Sequence, residues 1–415
     1  MRPEMKLFAL EDCLDALIDY RGKTPKKAEA GIPLITAKIV KSGRIEAPNE
    51  FIAEADYESW MTRGYPELGD VVLTTEAPLG EVAQIKFLPA AVAQRIVTLR
   101  GKRGLLDNDY LLYLLQTEGM QSQLKGRSSG TTVVGIKQSE LRKVEVLLPP
   151  IAEQEEFAST LRALDDQIDN LRQMNATLEV IASTLFKSWF VDFDGVASKD
   201  MRETELGQVP KEWCIGPFVD LVEIISGGTP KTTTTDYWDG DIPWFSVVDA
   251  PAAGQVFTLS TSKKITALGL QNCSAKLLPE MTTIISARGT IGKVALTGVP
   301  MAMNQSCYAL ASKVPGGEAY IFFSTLQFVE QLKRIAHGAV FDTITRNSFE
   351  QIVTCLPSHE AIVAFGNLAK PLLDRIRTNG EEAATLAVLR DQLLPKLIGG
   401  ALRIEPVTPD EQRVG

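Results

Sequence analysis

The sequence predicts an α+β protein in which one mixed module occurs twice, with two long helices that pair as an antiparallel coiled coil within the chain. Three observations carry this reading. A series of motifs recurs in the same order at a nearly constant offset, short apolar runs alternate with Gly and Pro turns inside each copy, and an apolar seam of helical period follows each copy. At 415 residues the chain has room for two or three domains, each with its own core. A hydrophobic share of 45% with only 22 prolines excludes a largely disordered or collagen-like chain.

The first module is read over residues 1–150. Arg21-Gly22-Lys23-Thr24-Pro25-Lys26 precedes Gly31-Ile32-Pro33-Leu34, and Asp70-Val71-Val72-Leu73-Thr74 is strand-like. Pro78-Leu79-Gly80-Glu81-Val82-Ala83, then Ala93-Gln94, then Tyr110-Leu111 through Gln116, and finally Leu148-Pro149-Pro150 complete the series. The second module, with its entry linker, is read over 193–357 and answers in the same order. Gly227-Gly228-Thr229-Pro230-Lys231 precedes Asp241-Ile242-Pro243-Trp244, and Met281-Thr282-Thr283-Ile284-Ile285 is its strand. Thr290-Ile291-Gly292-Lys293-Val294-Ala295, Asn304-Gln305, Tyr320-Ile321 through Gln327 and Leu356-Pro357-Ser358 follow, the last at an offset of 208. Single Gly-Thr-Pro or Leu-Pro matches are common turns, whereas six in order are a duplication. Gly80 and Gly292 are read as serving a turn or close packing.

A helix is expected over 151–192 and another over 358–400, leaving 401–415 as a tail. In the first, Phe157, Leu161, Leu164, Ile168, Leu171, Asn175, Leu178, Ala182, Leu185 and Trp189 alternate spacings of four and three, the a/d seam of a coiled coil. The same offset gives Phe365, Ala369, Leu372, Ile376, Asn379, Ala383, Leu386, Arg390, Leu393 and Leu397. One chain supplies both strands, so high effective concentration favours pairing within the chain over dimerisation. Full antiparallel overlap sets Asn175 opposite Asn379, a polar layer that fixes register at some cost in stability. Gly380 is the expected weak point, at about 1 kcal/mol in a helix interior.

The catalytic motifs are missing. The sequence contains no GxxxxGK[ST] loop, no Asn-Pro-Pro-Tyr-like segment for amino methylation, and no partner motifs for the kinase-like Asp192-Phe193-Asp194-Gly195. Asp70 and Glu81 could serve a metal-dependent nuclease but read more simply as surface acids. Five scattered cysteines and two histidines argue against a zinc site or a disulfide framework, and reduced, mostly buried thiols are expected. No apolar run approaches the roughly 20 residues of a membrane span, and Met1 to Leu10 does not resemble a signal peptide, so no membrane role and a cytoplasmic location are expected.

The residues suit binding better than catalysis. The formal charge of −9 speaks against nucleic acid, but its distribution softens that objection. Residues 1–150 hold 20 Lys+Arg and 20 Asp+Glu, whereas 151–200 hold 4 and 10. Local basic clusters remain: Arg21, Lys23, Lys26, Lys27, Lys38, Lys41 and Arg44 with only Glu29 among them, and Lys86, Arg95, Arg100, Lys102 and Arg103 with no acid among them. The second module has a thinner version. Such clusters fit a solvated face as well as phosphate contacts, with Arg, Asn and Gln available for base edges. The candidates for DNA contact are Arg21, Lys23, Thr24, Lys26, Lys38, Lys41, Gln94 and Arg95 in the first copy. In the second they are Thr229, Lys231, Trp244, Ser246, Arg288, Thr290, Lys293, Asn304 and Gln305.

Taken in order, Asp19-Tyr20-Arg21-Gly22-Lys23-Thr24-Pro25, the helix exit Leu185-Phe186-Lys187-Ser188-Trp189-Phe190-Val191-Asp192-Phe193-Asp194 and Gly207-Gln208-Val209-Pro210-Lys211-Glu212-Trp213 form a distinctive set. Ser226-Gly227-Gly228-Thr229-Pro230-Lys231, Tyr237-Trp238 and Ser286-Ala287-Arg288-Gly289-Thr290-Ile291-Gly292 extend it over nearly the whole length. On these segments the chain resembles the specificity subunit of type I restriction-modification enzymes. The resemblance implies two target recognition domains, each reading half of a split double-stranded DNA sequence, spaced by the two helices. It also implies two modification subunits using S-adenosylmethionine and restriction subunits using ATP and Mg, with no cofactor and no catalysis in this chain. One departure stands out: where the second copy has Arg288-Gly289-Thr290, the first has Glu76-Ala77-Pro78.

Overall fold

A computed structural model describes residues 5–130, 133–251, 254–337 and 343–400. The tail read over 401–415 lies outside the described residues. The chain divides into two compact units: unit 1 takes the residues up to Asp166 together with those from Leu386 onward, and unit 2 takes Gln167–Thr385.

Unit 1 is built on an antiparallel sheet. In chain order its main elements are β1 (Lys6–Ala9), β2 (Leu14–Asp19), β3 (Ile32–Ile35), β4 (Val71–Thr75), β5 (Leu79–Gln84), β6 (Ala91–Val92), β7 (Ile96–Gly101), α1 (Asn108–Gln116), α2 (Glu118–Gly126) and β8 (Glu145–Leu148). The sheet order is β2-β7-β4-β5, beside a parallel β3/β6 pair and an antiparallel β1/β8 pair. Both faces of the sheet are buried, which explains why Val71, Val72 and Leu73 follow one another in β4 without polar alternation. Val71, Leu73, Val97 and Leu99 face α1, while Val72, Ala83, Ile18 and Ile96 face the β3/β6 layer.

A 40-residue helix, α3 (Ile151–Phe190), leaves β8 and passes from unit 1 into unit 2. Unit 2 repeats the plan with β9 (Cys214–Pro217), β10 (Val222–Ser226), β11 (Trp238–Phe245), β12 (Thr283–Ser286), β13 (Val294–Thr297), β14 (Ala302–Met303), β15 (Cys307–Ser312), α4 (Glu318–His337) and β16 (Val353–Leu356). Its sheet order is β10-β15-β12-β13, with Phe257–Thr258 added at the edge of β13. β11 and β14 form the parallel pair, and β9 and β16 the antiparallel one. The last element, α5 (His359–Ile398), also has 40 residues.

The duplication extends to single hydrogen bonds. Leu10 N–H donates to the Val144 carbonyl and Phe218 N–H to that of Ile352, both at 2.8 Å. Ala93 N–H donates to the Ile35 carbonyl at 3.0 Å and Asn304 N–H to that of Phe245 at 2.9 Å. One difference is that α1 and α2 are separated at Thr117, which caps α2 through Met120 N–H, where α4 runs on unbroken.

The helices pair antiparallel. Within unit 1, Leu161 packs in one cluster with Leu393 and Leu397, and Asp165 meets Arg390 at 2.6 Å. Within unit 2, Asn379 Nδ2 donates to Asn175 Oδ1 at 2.8 Å, Asn175 Nδ2 donates to the Ile376 carbonyl at 3.1 Å, and Trp189 meets Phe365. Leu164, Leu178, Leu185, Leu372, Leu386 and Leu393 are half-buried, while Ile168, Leu171 and Ile376 are buried. At Gly380, the expected weak point, α5 passes through without a break. A Cβ there would lie 3.1 Å from Leu259 Cδ1, so the glycine is the notch into which Leu259 packs.

The helix exit is a core plug. Phe186 and Phe190 pack against Tyr320 and Phe365, and Trp213 stacks on Phe190 at 5.7 Å. Of the five free thiols, Cys13 and Cys307 are buried, Cys273 and Cys355 half-buried and Cys214 exposed, so fewer are buried than expected. Burial pushes Cys13 up to about 11 and Cys307 up to about 12.

Candidate nucleic-acid interface

In unit 1 the β2–β3 loop, the turn after β4 and the β6–β7 turn converge on a cavity of about 140 Å³ lined by Thr24, Lys38, Ala77, Gln94 and Arg95 among others. Four of the sequence candidates therefore meet there. Thr24 Oγ1 donates to Gln94 Oε1 at 3.3 Å, leaving the Gln94 amide nitrogen to donate outward. Unit 2 holds the same pair, Thr229 Oγ1 donating to Gln305 Oε1. Both pairs are exposed. The bond leaves the amide nitrogen and one lone pair of Oε1 uncommitted, the two ends through which a glutamine amide can pair with adenine.

Several candidates serve the frame instead. Arg21 Nη2 donates to the Ile136 carbonyl at 2.6 Å, which ties down the β2–β3 loop. Trp244 is corrected, because it is buried and its indole N–H donates to the Gly228 carbonyl at 2.9 Å, behind the loop that carries Thr229. Ser246 caps a short turn, giving its hydroxyl and N–H to Asp249 Oδ2, both at 2.9 Å. Asn304 Oδ1 accepts from Ser306 N–H at 3.0 Å and shapes the turn beside Gln305.

The basic clusters are also rearranged by folding. Glu50 takes Lys27 at 2.8 Å and Lys38 at 3.5 Å, and the Lys27 hydrogen bond holds its carboxyl below the ordinary range. Lys41 pairs with Glu46 at 3.2 Å and Arg95 with Glu76 at 3.1 Å. Arg100 is structural: it grips the buried Asp70 through Nε and Nη2, each at 2.8 Å, and that hydrogen bonding raises its basicity further. Among the described residues, Lys23 and Lys26 stay exposed and without an acid partner in unit 1, as do Lys231, Arg288 and Lys293 in unit 2, where Thr290 is exposed as well. Of the lysine and arginine candidates for DNA contact, the second unit, expected to be the thinner in positive charge, thus keeps three exposed and unpaired against two in the first.

Sequence reasoning missed Glu76 and Ser306 as parts of the site. The signal was present only as the local departure at Glu76-Ala77-Pro78, since its pairing with Arg95 joins positions on neighbouring strands. The acid pair considered for a nuclease is committed elsewhere, with Asp70 bound by Arg100 and Glu81 Oε2 accepting from Ser42 N–H at 2.9 Å.

The comparisons agree with this frame. The chain is 29% identical over 385 residues to the specificity subunit of type I restriction enzyme MjaIX of Methanocaldococcus jannaschii, covering 90% of this chain and 87% of that one. It is 24% identical to the HindI specificity subunit of Haemophilus influenzae, covering 75% and 81%. The crystal structure of the type I restriction-modification S subunit from M. genitalium shares the fold at a TM-score of 0.56 and 15% identity, covering 96% of this chain and 99% of that one. The sequence model of the type I restriction modification DNA specificity domain matches residues 4–180 and 210–363. With two matched segments that cover most of its length, one on each copy of the repeated frame, the chain belongs to the type I restriction modification DNA specificity family.

Proposed function

We propose that this chain is the non-catalytic DNA specificity subunit of a type I restriction-modification assembly, each unit reading one half of a bipartite duplex target. The observation that carries this is the repeated Thr–Gln pair, Thr24 with Gln94 and Thr229 with Gln305, presented at the same point of two copies of one hydrogen-bonded frame. Phosphate contacts from Lys23, Lys26, Lys231 and Lys293 would set register, and the glutamines and neighbouring side chains would read base edges. The helices would set the spacer between half-sites, at about 1.5 Å per residue.

The partners would be two modification subunits, bringing S-adenosylmethionine for adenine methylation, and restriction subunits using ATP and Mg. A repeated outward stripe favours two identical partners. On α3, Thr177, Val180, Ile181 and Thr184 lie on the exposed side, with Val180 63% exposed. On α5, Thr385, Val388, Leu389 and Gln392 recur at the 208-residue offset, with Val388 57% exposed. Uncharged, apolar helix faces of this kind suit helical partners.

The test is adenine methylation mapping in a host that expresses the modification subunits with and without this chain. The expected result is one bipartite motif that appears only when the chain is present. Methylation independent of the chain, or metal-dependent cleavage of DNA by the purified chain alone, would overturn the reading.

A further inference from the structure

The two units depart from their shared frame at one point beside the Thr–Gln pair. In unit 1, Glu76 follows β4 and its Oε1 lies 3.1 Å from Arg95 Nε in an ion pair. The approach is at the Nε edge of the guanidinium, and among the described residues neither Nη group makes a hydrogen bond. The Arg95 side chain is 49% exposed. In unit 2 the place of Glu76 is taken by Arg288 and the place of Arg95 by Ser306.

Main-chain bonds establish these equivalences. Thr75 N–H donates to the Arg95 carbonyl at 2.9 Å, and Ala287 N–H to the Ser306 carbonyl at 2.8 Å. The carbonyls of Thr75 and Ala287 then accept from Ile136 and Ile344 N–H, each at 3.0 Å. Glu76 and Arg288 are the next residues along, and Gln94 and Gln305 precede Arg95 and Ser306. Each unit therefore sets one guanidinium next to its Thr–Gln pair, from the β6–β7 turn in unit 1 and from the β12–β13 turn in unit 2. Arg288 is exposed and makes no ion pair or side-chain hydrogen bond among the described residues.

A guanidinium with its outer edge open matches guanine, whose N7 and O6 accept two parallel N–H bonds in the major groove. Resting on the DNA-reading function above, we infer that Arg95 and Arg288 are the guanine-reading residues of the two half-sites. Glu76 is a positioning residue that holds Arg95 through their ion pair. Moving the arginine from one turn to the other shifts the position read, which lets one frame serve two different half-sites. A phosphate contact is the competing role, and it leaves a different trace. Losing a base contact relaxes one position, whereas losing a phosphate contact weakens all sequences alike.

The experiment uses the chain assembled with its modification subunits and a duplex library randomised at both half-sites, with methylation read by sequencing. Arg288→Gln should lower discrimination at a single G·C position of one half-site by roughly 10- to 100-fold, with the other half-site and the spacer unchanged. Arg95→Gln should do the same in the other half-site, and Glu76→Gln should relax that same position less. Arg288→Lys keeps the charge but not the fork, so it should still relax the position that Arg288→Gln relaxes. A uniform fall across all sequences, relaxation at an A·T position, or an unchanged motif would overturn the inference. A wild-type assembly that yields no bipartite motif would instead sink the DNA-reading function itself.

Discussion

At the scale of single residues, the chemistry of a side chain is decided by what stands across from it. Arg100 and Arg95 belong to the same basic run in the sequence, yet only Arg95 keeps an open edge. Both Asp70 oxygens are held by Arg100, and Asp70 is only 1% exposed. Removing the cation strands a buried carboxylate, a change that costs about 3 kcal/mol or more. Arg100→Met should therefore lower the melting temperature by roughly 6–12 °C, at about 2–4 °C per kcal/mol for a domain of this size, without altering either half-site. Calorimetry and motif mapping of the same variant check both halves of that statement, and a changed motif with an unchanged melting temperature would return Arg100 to the DNA-contacting set.

At the scale of elements, the paired helices rest on a seam whose polar layer sets the register. Asn379 donates to Asn175, but Asn379 Oδ1 is buried and accepts from nothing among the described residues. The layer thus specifies alignment more than it stabilises. Asn379→Leu alone should destabilise by about 1–3 kcal/mol, because the Asn175 amide then loses a partner in a buried site. The double variant Asn175→Leu/Asn379→Leu should be neutral or more stable than the wild type, since both polar groups leave together. Thermal melts of the three proteins test this, and additive losses in the double variant would count against it. The period-3.5 pattern made these helices readable, but the passage of α5 through Gly380 was not, because Leu259 reaches it from 121 positions earlier in the sequence.

At the scale of the whole molecule, the formal charge of −9 resolves into near-neutral recognition modules and one acidic connecting element, the first long helix with its exit. Much of the positive charge in unit 1 is already committed to Glu46, Glu50 and Glu76. Few phosphate contacts are then left over, so the isolated chain should bind duplex DNA weakly and with a shallow dependence on salt, because the salt slope scales with the number of phosphates neutralised. Inserting one heptad into each long helix adds about 10 Å, the rise of about three base pairs, and should lengthen the spacer while leaving both half-sites intact. Methylation mapping of that variant reads the outcome directly, and altered half-sites with a fixed spacer would refute the helices as the measuring element.

The sequence by itself determined the architecture: the ordered motifs declared the duplication, and the 3.5-residue period declared the helices and the Asn175–Asn379 register. These properties are periodic and local, so they survive in one dimension. Only the tertiary structure decided which polar residues are free to act. It buried Trp244 in the frame, set Thr24 on Gln94 and Thr229 on Gln305, and matched Glu76 with Arg95 against Arg288 with Ser306. The reason is physical: a charge is spent or spared by the group that folding brings within about 3 Å of it, and here that group comes from another strand or loop.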